Sequence, residues 1–72
     1  MSVEYSNDYF FVVGKSSRSG RHFSENITDF HIAFEAFNLY CDMIKHFGGG
    51  TVDLFHVIDD DNIDIIEHKL CI

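Results

Sequence analysis

The chain of 72 residues has few of the residues that usually constrain a small fold. It has no proline, no tryptophan and only two cysteines, Cys41 and Cys71. Without proline, its turns must be made by glycine, asparagine, aspartate and serine. A disulfide scaffold of this length normally carries four or more cysteines. We therefore expect a buried free thiol at Cys41, and a Cys41–Cys71 disulfide stays open as an alternative.

Long hydrophobic runs are also missing. The longest unbroken apolar run is Tyr9–Val13, whereas a membrane-spanning helix needs about 20 apolar residues. Residues 1–8 are polar and acidic, and they lack the basic and apolar parts of a secretory signal. The length is near the lower limit for a chain that folds around its own core. The sequence thus predicts a single cytoplasmic domain, residues 1–72, without a membrane partner.

Positive charge is scarce. Five Lys and Arg stand against twelve Asp and Glu, and the net charge is −7. Residues 1–21 carry a balance of +1, while residues 22–72 hold ten acids against two lysines, a balance of −8. This distribution argues against phosphate binding over most of the surface, and it favours a basic partner or simple solubility.

The apolar pattern predicts an α+β domain, with elements in the order β-(β)-α-β-β. Tyr9–Val13 has the length and composition of a strand. Its apolar residues on both faces indicate that it is covered on each side, or that a partner covers one side. After a Gly- and Ser-rich loop, Arg21–Ser24 can return as a second strand. We expect a small antiparallel sheet of three or four strands with one long amphipathic helix packed on one face.

That helix is predicted over Thr28–Phe47. Asn26 or Thr28 can cap its first turn, and Asp29 lies near the positive end of the helix dipole. The glycines at 48–50 end it, because glycine adopts the left-handed conformation after a C-cap at little cost.

Two apolar stripes run along the predicted helix. The wider one should face the sheet and contains Phe30, Ala33, Phe34, Phe37, Cys41 and Ile44. The second, here called the apolar helix stripe, contains Ile32, Ala36, Leu39 and Met43. The N-terminal tail or a loop could cover the apolar helix stripe, or it could contact a partner or a second copy of the chain.

The last part of the chain predicts a hairpin. Thr51–Ile58 alternates as a strand does, and Asp59–Asn62 is a turn signal. Ile63–Leu70 is then the returning strand, with a short terminal helix as the alternative. Its register stays open, because loops of three and four residues give opposite face assignments.

No motif for catalysis, metal or cofactor binding is complete. Gly14-Lys15-Ser16 resembles the end of a phosphate-binding loop, but Tyr9 stands where that loop needs a glycine. The acidic run at 59–64 lacks the glycine and the final glutamate of an EF-hand. His56 and His68 could approach each other across the last hairpin, without the spacing of a structural zinc site. No serine or cysteine is placed beside a base by local sequence. We predict a non-enzymatic protein without metal or cofactor.

Three sets of residues are candidates for binding. The acidic set could imitate a phosphate array towards a basic, nucleic-acid-binding protein, and it contains Glu35, Asp42, Asp53, Asp59, Asp60, Asp61, Asp64 and Glu67. The apolar helix stripe could instead close a homodimer or larger homo-oligomer. A minor hypothesis places weak nucleic-acid binding on Lys15, Arg18 and Arg21, flanked by Tyr9–Phe11 and Phe23.

The leading hypothesis is therefore an acidic protein-interaction module. In size and composition the chain is similar to the accessory proteins of phages and mobile elements, which often inhibit host machinery. This likeness is one of type and involves no shared motif.

Overall fold

Two hairpins joined by one helix make up the fold. The computed structural model describes residues 8–59 and 61–72. The elements are β1 (Tyr9–Ser16), β2 (His22–Ile27), α1 (Phe30–His46), β3 (Gly50–Asp59) and β4 (Asn62–Cys71). They form one antiparallel sheet in the order β2-β1-β3-β4. The predicted α+β class and element order are confirmed, with four strands. Within these described residues, α1 is the one helix, and it is not long and apolar enough to cross a membrane.

The sheet has one face under α1, here called the covered face, and one without a covering element among the described residues, here called the open face. Side chains alternate between these faces along each strand. In β1, Val12 is fully buried under the helix. The core lies between α1 and the covered face, and its buried members are Val12, Ile27, Ala33, Phe37, Cys41, Ile44, Val52, Leu54 and Cys71.

Two glycines allow the helix to lie close to the centre of the sheet. A Cβ on Gly14 would lie 2.8 Å from the Ile44 Cδ1 atom. A Cβ on Gly50 would overlap the carbonyl oxygen of Lys15 on the neighbouring strand. Larger residues at these two positions would push apart β1, β3 and the last turn of α1.

The helix begins one residue after its cap, Asp29. The carboxylate Oδ1 of Asp29 accepts a hydrogen bond of 3.1 Å from the amide of Ile32. The prediction of Asn26 or Thr28 as the cap is therefore wrong. The reason is that β2 continues to Ile27, which leaves only Thr28 and Asp29 to turn the chain into the helix.

The C-terminus of α1 ends on glycine as predicted. Phe47 is the C-cap, and Gly48 and Gly49 have φ values of 105° and 103°. The Gly49 amide donates a 2.8 Å hydrogen bond to the Ile44 carbonyl. This bond closes the turn that reverses the chain after α1 and leads directly into β3.

The helix surface that meets the sheet is narrower than predicted. Ala33, Phe37, Cys41 and Ile44 are buried, but Phe30 and Phe34 are 42% and 41% exposed. The two exposed rings stack on each other with centroids 5.9 Å apart, and the Phe30 ring meets the Phe10 ring edge-on. They therefore lie at the margin of the core.

The terminal hairpin settles the alternatives left open at 63–70. This segment lies in strand β4, not in a helix. Asp59 pairs with Asn62 at the turn, and the ladder shifts register between Leu54 and Phe55 and again between Val57 and Asp59. The first shift leaves Ile66 as an extra residue of β4, a β-bulge that sequence alternation alone does not reveal.

Candidate interaction surfaces

The two flanks of α1 point to different edges of the sheet. On one flank, the Tyr40 hydroxyl donates a 2.8 Å hydrogen bond to Glu25 of β2, and the Tyr40 ring meets Phe23 edge-on. On the other flank, Cys41 lies beside Cys71 of β4, whose thiol donates a 3.8 Å hydrogen bond to the Lys69 carbonyl. By helical periodicity, the apolar helix stripe therefore lies on the side of β2. The polar strip of α1 lies on the side of β4 and contains His31, Glu35, Asn38, Asp42 and Lys45.

Four of the predicted acidic residues share that β4 side. Glu35 and Asp42 are exposed on the polar strip of α1. Asp64 and Glu67 are exposed on β4, and their register opposite His56 and Leu54 directs them to the covered face. We call Glu35, Asp42, Asp64 and Glu67 the acidic side.

The other predicted acids are placed differently. Asp59 and Asp61 lie at the turn between β3 and β4, next to the acidic side, and Asp60 is outside the described residues. The Asp59 carboxylate accepts hydrogen bonds from the Asn62 side chain and from the Asp61 and Asn62 amides. These bonds, chiefly that from the Asn62 side chain, lower the pKa of Asp59. Asp53 lies on the open face and does not join the set.

The apolar helix stripe is open to solvent. Ile32, Leu39 and Met43 are 56%, 59% and 37% exposed, while Ala36 packs against the core. The structure thus brings the four predicted residues onto one surface, with the small Ala36 at its inner margin.

The three predicted cations are not brought together. Arg18 and Arg21 line a pocket of about 450 Å³ with Ser16, Ser19, Phe23 and Phe47. Lys15 has its side chain on the open face and lines a different depression with Gly50 and Thr51. Tyr9 and Phe11 lie towards the opposite end of β1 from the loop. Of the aromatic residues proposed to assist nucleic-acid binding, Phe23 is the one beside the arginines.

Two histidines pair with carboxylates on opposite faces of the sheet. The Nε2 atom of His56 lies 2.9 Å from the Asp8 carboxylate, and the His56 ring stacks on Phe10 on the covered face. The Nδ1 atom of His68 is hydrogen-bonded to Asp53 on the open face. His56 and His68 therefore do not meet. Within 8–59 and 61–72, no group of three His, Cys, Asp or Glu residues could hold a metal ion.

Three titratable side chains, those of Cys41, Cys71 and Tyr40, are buried or half-buried. Cys41 and Cys71 are free thiols and are 2% and 0% exposed. Burial, reinforced by the contact with Cys41, raises the pKa of Cys71 to about 12. Burial and the bond to Glu25 raise the pKa of Tyr40 to about 12. A thiol that stays protonated at neutral pH is a poor nucleophile.

The open face was not among the candidate sites from sequence, although a partner over one side of Tyr9–Val13 was one of the alternatives. It carries the aromatic pair Phe11 and Phe55, whose ring centroids are 6.2 Å apart. Around them is a shallow depression of about 270 Å³, lined by Tyr9, Phe11, Phe55, Val57 and Ile63. The sequence feature that indicated this face was the apolar character of Tyr9–Val13 on both sides of the strand. The sequence left the register of β4 undecided, so the residues that β4 adds to this face could not be assigned.

Comparison with known proteins identifies no relative. No protein-family model matches the chain, and no significant match is found among curated proteins or solved structures.

Proposed function

We propose that the chain is a non-enzymatic interaction module whose acidic side occupies a basic, nucleic-acid-binding surface of a partner protein. The observation that supports this most is that Glu35, Asp42, Asp64 and Glu67 are exposed on the side of α1 and β4, with Asp59 and Asp61 at the adjoining turn. The two lysines on this side, Lys45 and Lys69, leave it with a negative balance. All of these side chains are exposed. In the described part of the chain, none of the four acidic-side carboxylates has a cation within ion-pair distance.

The mode of action would be competition. An array of carboxylates on a helix and an adjacent strand presents negative charge at intervals, as a nucleic-acid backbone does. Complementary potentials would speed the encounter with a basic surface and would weaken with salt. A partner held in this way could not bind its nucleic acid. Such inhibition is the activity expected of an accessory protein of phage type.

Affinity capture followed by mass spectrometry tests the proposal. Wild-type protein should recover a basic, nucleic-acid-binding protein at low salt, and duplex DNA should displace it. The variant Glu35→Gln/Asp42→Asn should bind that protein about tenfold more weakly, if each carboxylate contributes about 0.7 kcal/mol.

The matched control adds two cations away from the acidic side. Ser19→Lys/Thr28→Lys changes the net charge by the same two units at exposed positions that lie outside the helix and the strands. It should retain the partner. Equal losses of affinity in both variants would mean that net charge alone matters. Recovery of no partner, with or without moderate salt, would contradict the proposal.

A structural homo-oligomer closed through the apolar helix stripe is the second candidate. It is favoured by the exposure of Ile32 and Leu39, each above one half. Sedimentation of the wild type beside Leu39→Asp tests it, since a charge in the interface would dissociate the assembly. A wild-type monomer at high concentration would exclude it.

Weak nucleic-acid binding is a third proposal, and it now rests on Arg18 and Arg21 alone. A labelled oligonucleotide that shows no binding at low salt would exclude it.

A further inference from the structure

The open face carries more apolar side chain than a solvated sheet face needs. Eight such residues from three neighbouring strands lie on it: Tyr9, Phe11, Val13, Phe55, Val57, Ile63, Ile65 and Leu70. Ile63, Ile65 and Leu70 are 56%, 59% and 62% exposed. Contiguous apolar patches above a few hundred Å² are rare on monomeric proteins and usually mark an interface.

We propose that this open face binds the open face of a second copy of the chain, forming a dimer of two sheets packed face to face. The proposal is independent of the acidic side, which would point outwards on both subunits.

Charge distribution favours a second copy as the occupant. The chain carries a net charge of −7, so most pairs of surfaces on two copies would repel each other. On the strands that the structure describes, Asp53 is the one carboxylate directed to the open face, and His68 is hydrogen-bonded to it. Lys15 adds a positive charge to the same face. The open face is thus the surface on which two acidic copies meet with the least repulsion.

The size of the face also suits a dimer. Strands β1, β3 and β4 span roughly 14 Å across, and ten residues of β3 span roughly 34 Å, which gives a footprint of roughly 480 Å² per copy. The accessible area of a pleated face exceeds its footprint. Two copies would therefore bury an area near the lower limit of about 1,200 Å² for a specific interface.

Packing through the faces is better supported than pairing through the edges. The edge strand β4 contains the bulge at Ile66, which interrupts its row of free amide and carbonyl groups. The other edge, β2, has only six residues. Two twisted sheets can instead stack about 10 Å apart with the Phe11 and Phe55 rings between them.

Sedimentation equilibrium of the purified chain tests this, with matched substitutions on two surfaces. Ile65 on the open face and Leu39 on the apolar helix stripe are equally exposed, at 59%. We expect the wild type to pass from monomer to dimer between about 1 and about 300 μM. Ile65→Asp should weaken dimerisation at least about 100-fold, because it buries a charge in each subunit. Leu39→Asp should dimerise as the wild type does.

Two further measurements keep the test decisive. Circular dichroism shows whether each variant is folded, and if Ile65→Asp is not, Leu70→Asp replaces it on the same face. Amide chemical shifts of the wild type on dilution should change in β1, β3 and β4 and not in α1. A dimer that survives Ile65→Asp, or dilution shifts confined to α1, would overturn the proposal. A wild-type monomer throughout would also overturn it.

Discussion

The two faces of the sheet are both apolar, yet only one receives the helix. The covered face has small residues where the helix approaches, with Gly14 and Gly50 beneath Ile44. Ser16, next to them, is 4% exposed. The open face has the aromatic residues Phe11 and Phe55 directly opposite each other on β1 and β3. The last turn of the helix comes closest to the sheet where the covered face has glycine. The position of these glycines, together with the apolar pattern, therefore distinguishes the core side from the side that stays available.

The largest effect should come from equal truncations on the two faces. Phe37→Ala removes a ring that is 2% exposed, and it should lower the free energy of unfolding by about 3–5 kcal/mol. Phe55→Ala removes the same atoms from a half-exposed ring on the open face. At low protein concentration it should cost less than about half as much. Urea denaturation at micromolar concentration measures both values.

The stability of Phe55→Ala shows whether the open face is covered within one chain or by association. If that variant is as unstable as Phe37→Ala in dilute solution, the open face must already be covered within one chain. If the cost rises with protein concentration, Phe55 is buried by association.

The next effect concerns the cap that starts the helix over the covered face. Asp29→Ala removes the acceptor for the Ile32 amide and should cost about 1 kcal/mol, within a range of roughly 0.5–2 kcal/mol. Thr28→Ala is the control and should change the stability by less than about 0.5 kcal/mol. Thermal denaturation of the two variants measures the difference. Equal losses would show that Asp29 does not act as the cap.

Much of the fold followed from sequence because it depends on local signals. The order of the elements, the helix and its glycine stop come from periodicity and turn residues, which act over a few positions. The cap was misassigned because β2 extends three residues further than the pattern at 21–24 suggested. That extension depends on pairing with β1, for example Ile27 with Phe10, and pairing between strands is not local.

The surfaces were less predictable than the elements. The exposed positions Ile32 and Leu39 could be found by a helical wheel. The acidic side could not be found in this way. Asp53 lies on the opposite face of the sheet from Asp64 and Glu67, and this follows only from the register of β4 with its β-bulge. Predicting the open face requires the same register of β4 and the knowledge that α1 covers the other side of the sheet.

A smaller effect is expected at the margin of the covered face, where Tyr40 meets Glu25. Tyr40→Phe removes that hydrogen bond and should cost about 1 kcal/mol at neutral pH. The pKa of Tyr40 is raised from 10.0 to about 12, so the folded state favours the protonated phenol. Its contribution is complete below pH 10 and is lost as the pH rises through 12.

Urea denaturation at neutral and alkaline pH measures this dependence. The thiol of Cys71, whose pKa is also raised to about 12, destabilises the fold in the same direction at high pH. The difference between the wild type and Tyr40→Phe isolates Tyr40, because both proteins keep the thiol. A difference that stays constant above pH 10 would contradict the assigned bond.

The smallest effect should come from the polar pair on the open face. Asp53→Asn removes the negative charge that faces His68, and exposed pairs of this kind contribute at most about 1 kcal/mol. We expect a change in unfolding free energy of about 0.5 kcal/mol or less, measured by urea denaturation of dilute protein. Association should not weaken, because a second copy no longer has to desolvate a carboxylate. Weaker dimerisation in Asp53→Asn would instead mean that Asp53 makes a specific contact across the interface. The open face would then recognise a second copy through Asp53 as well as through its apolar side chains.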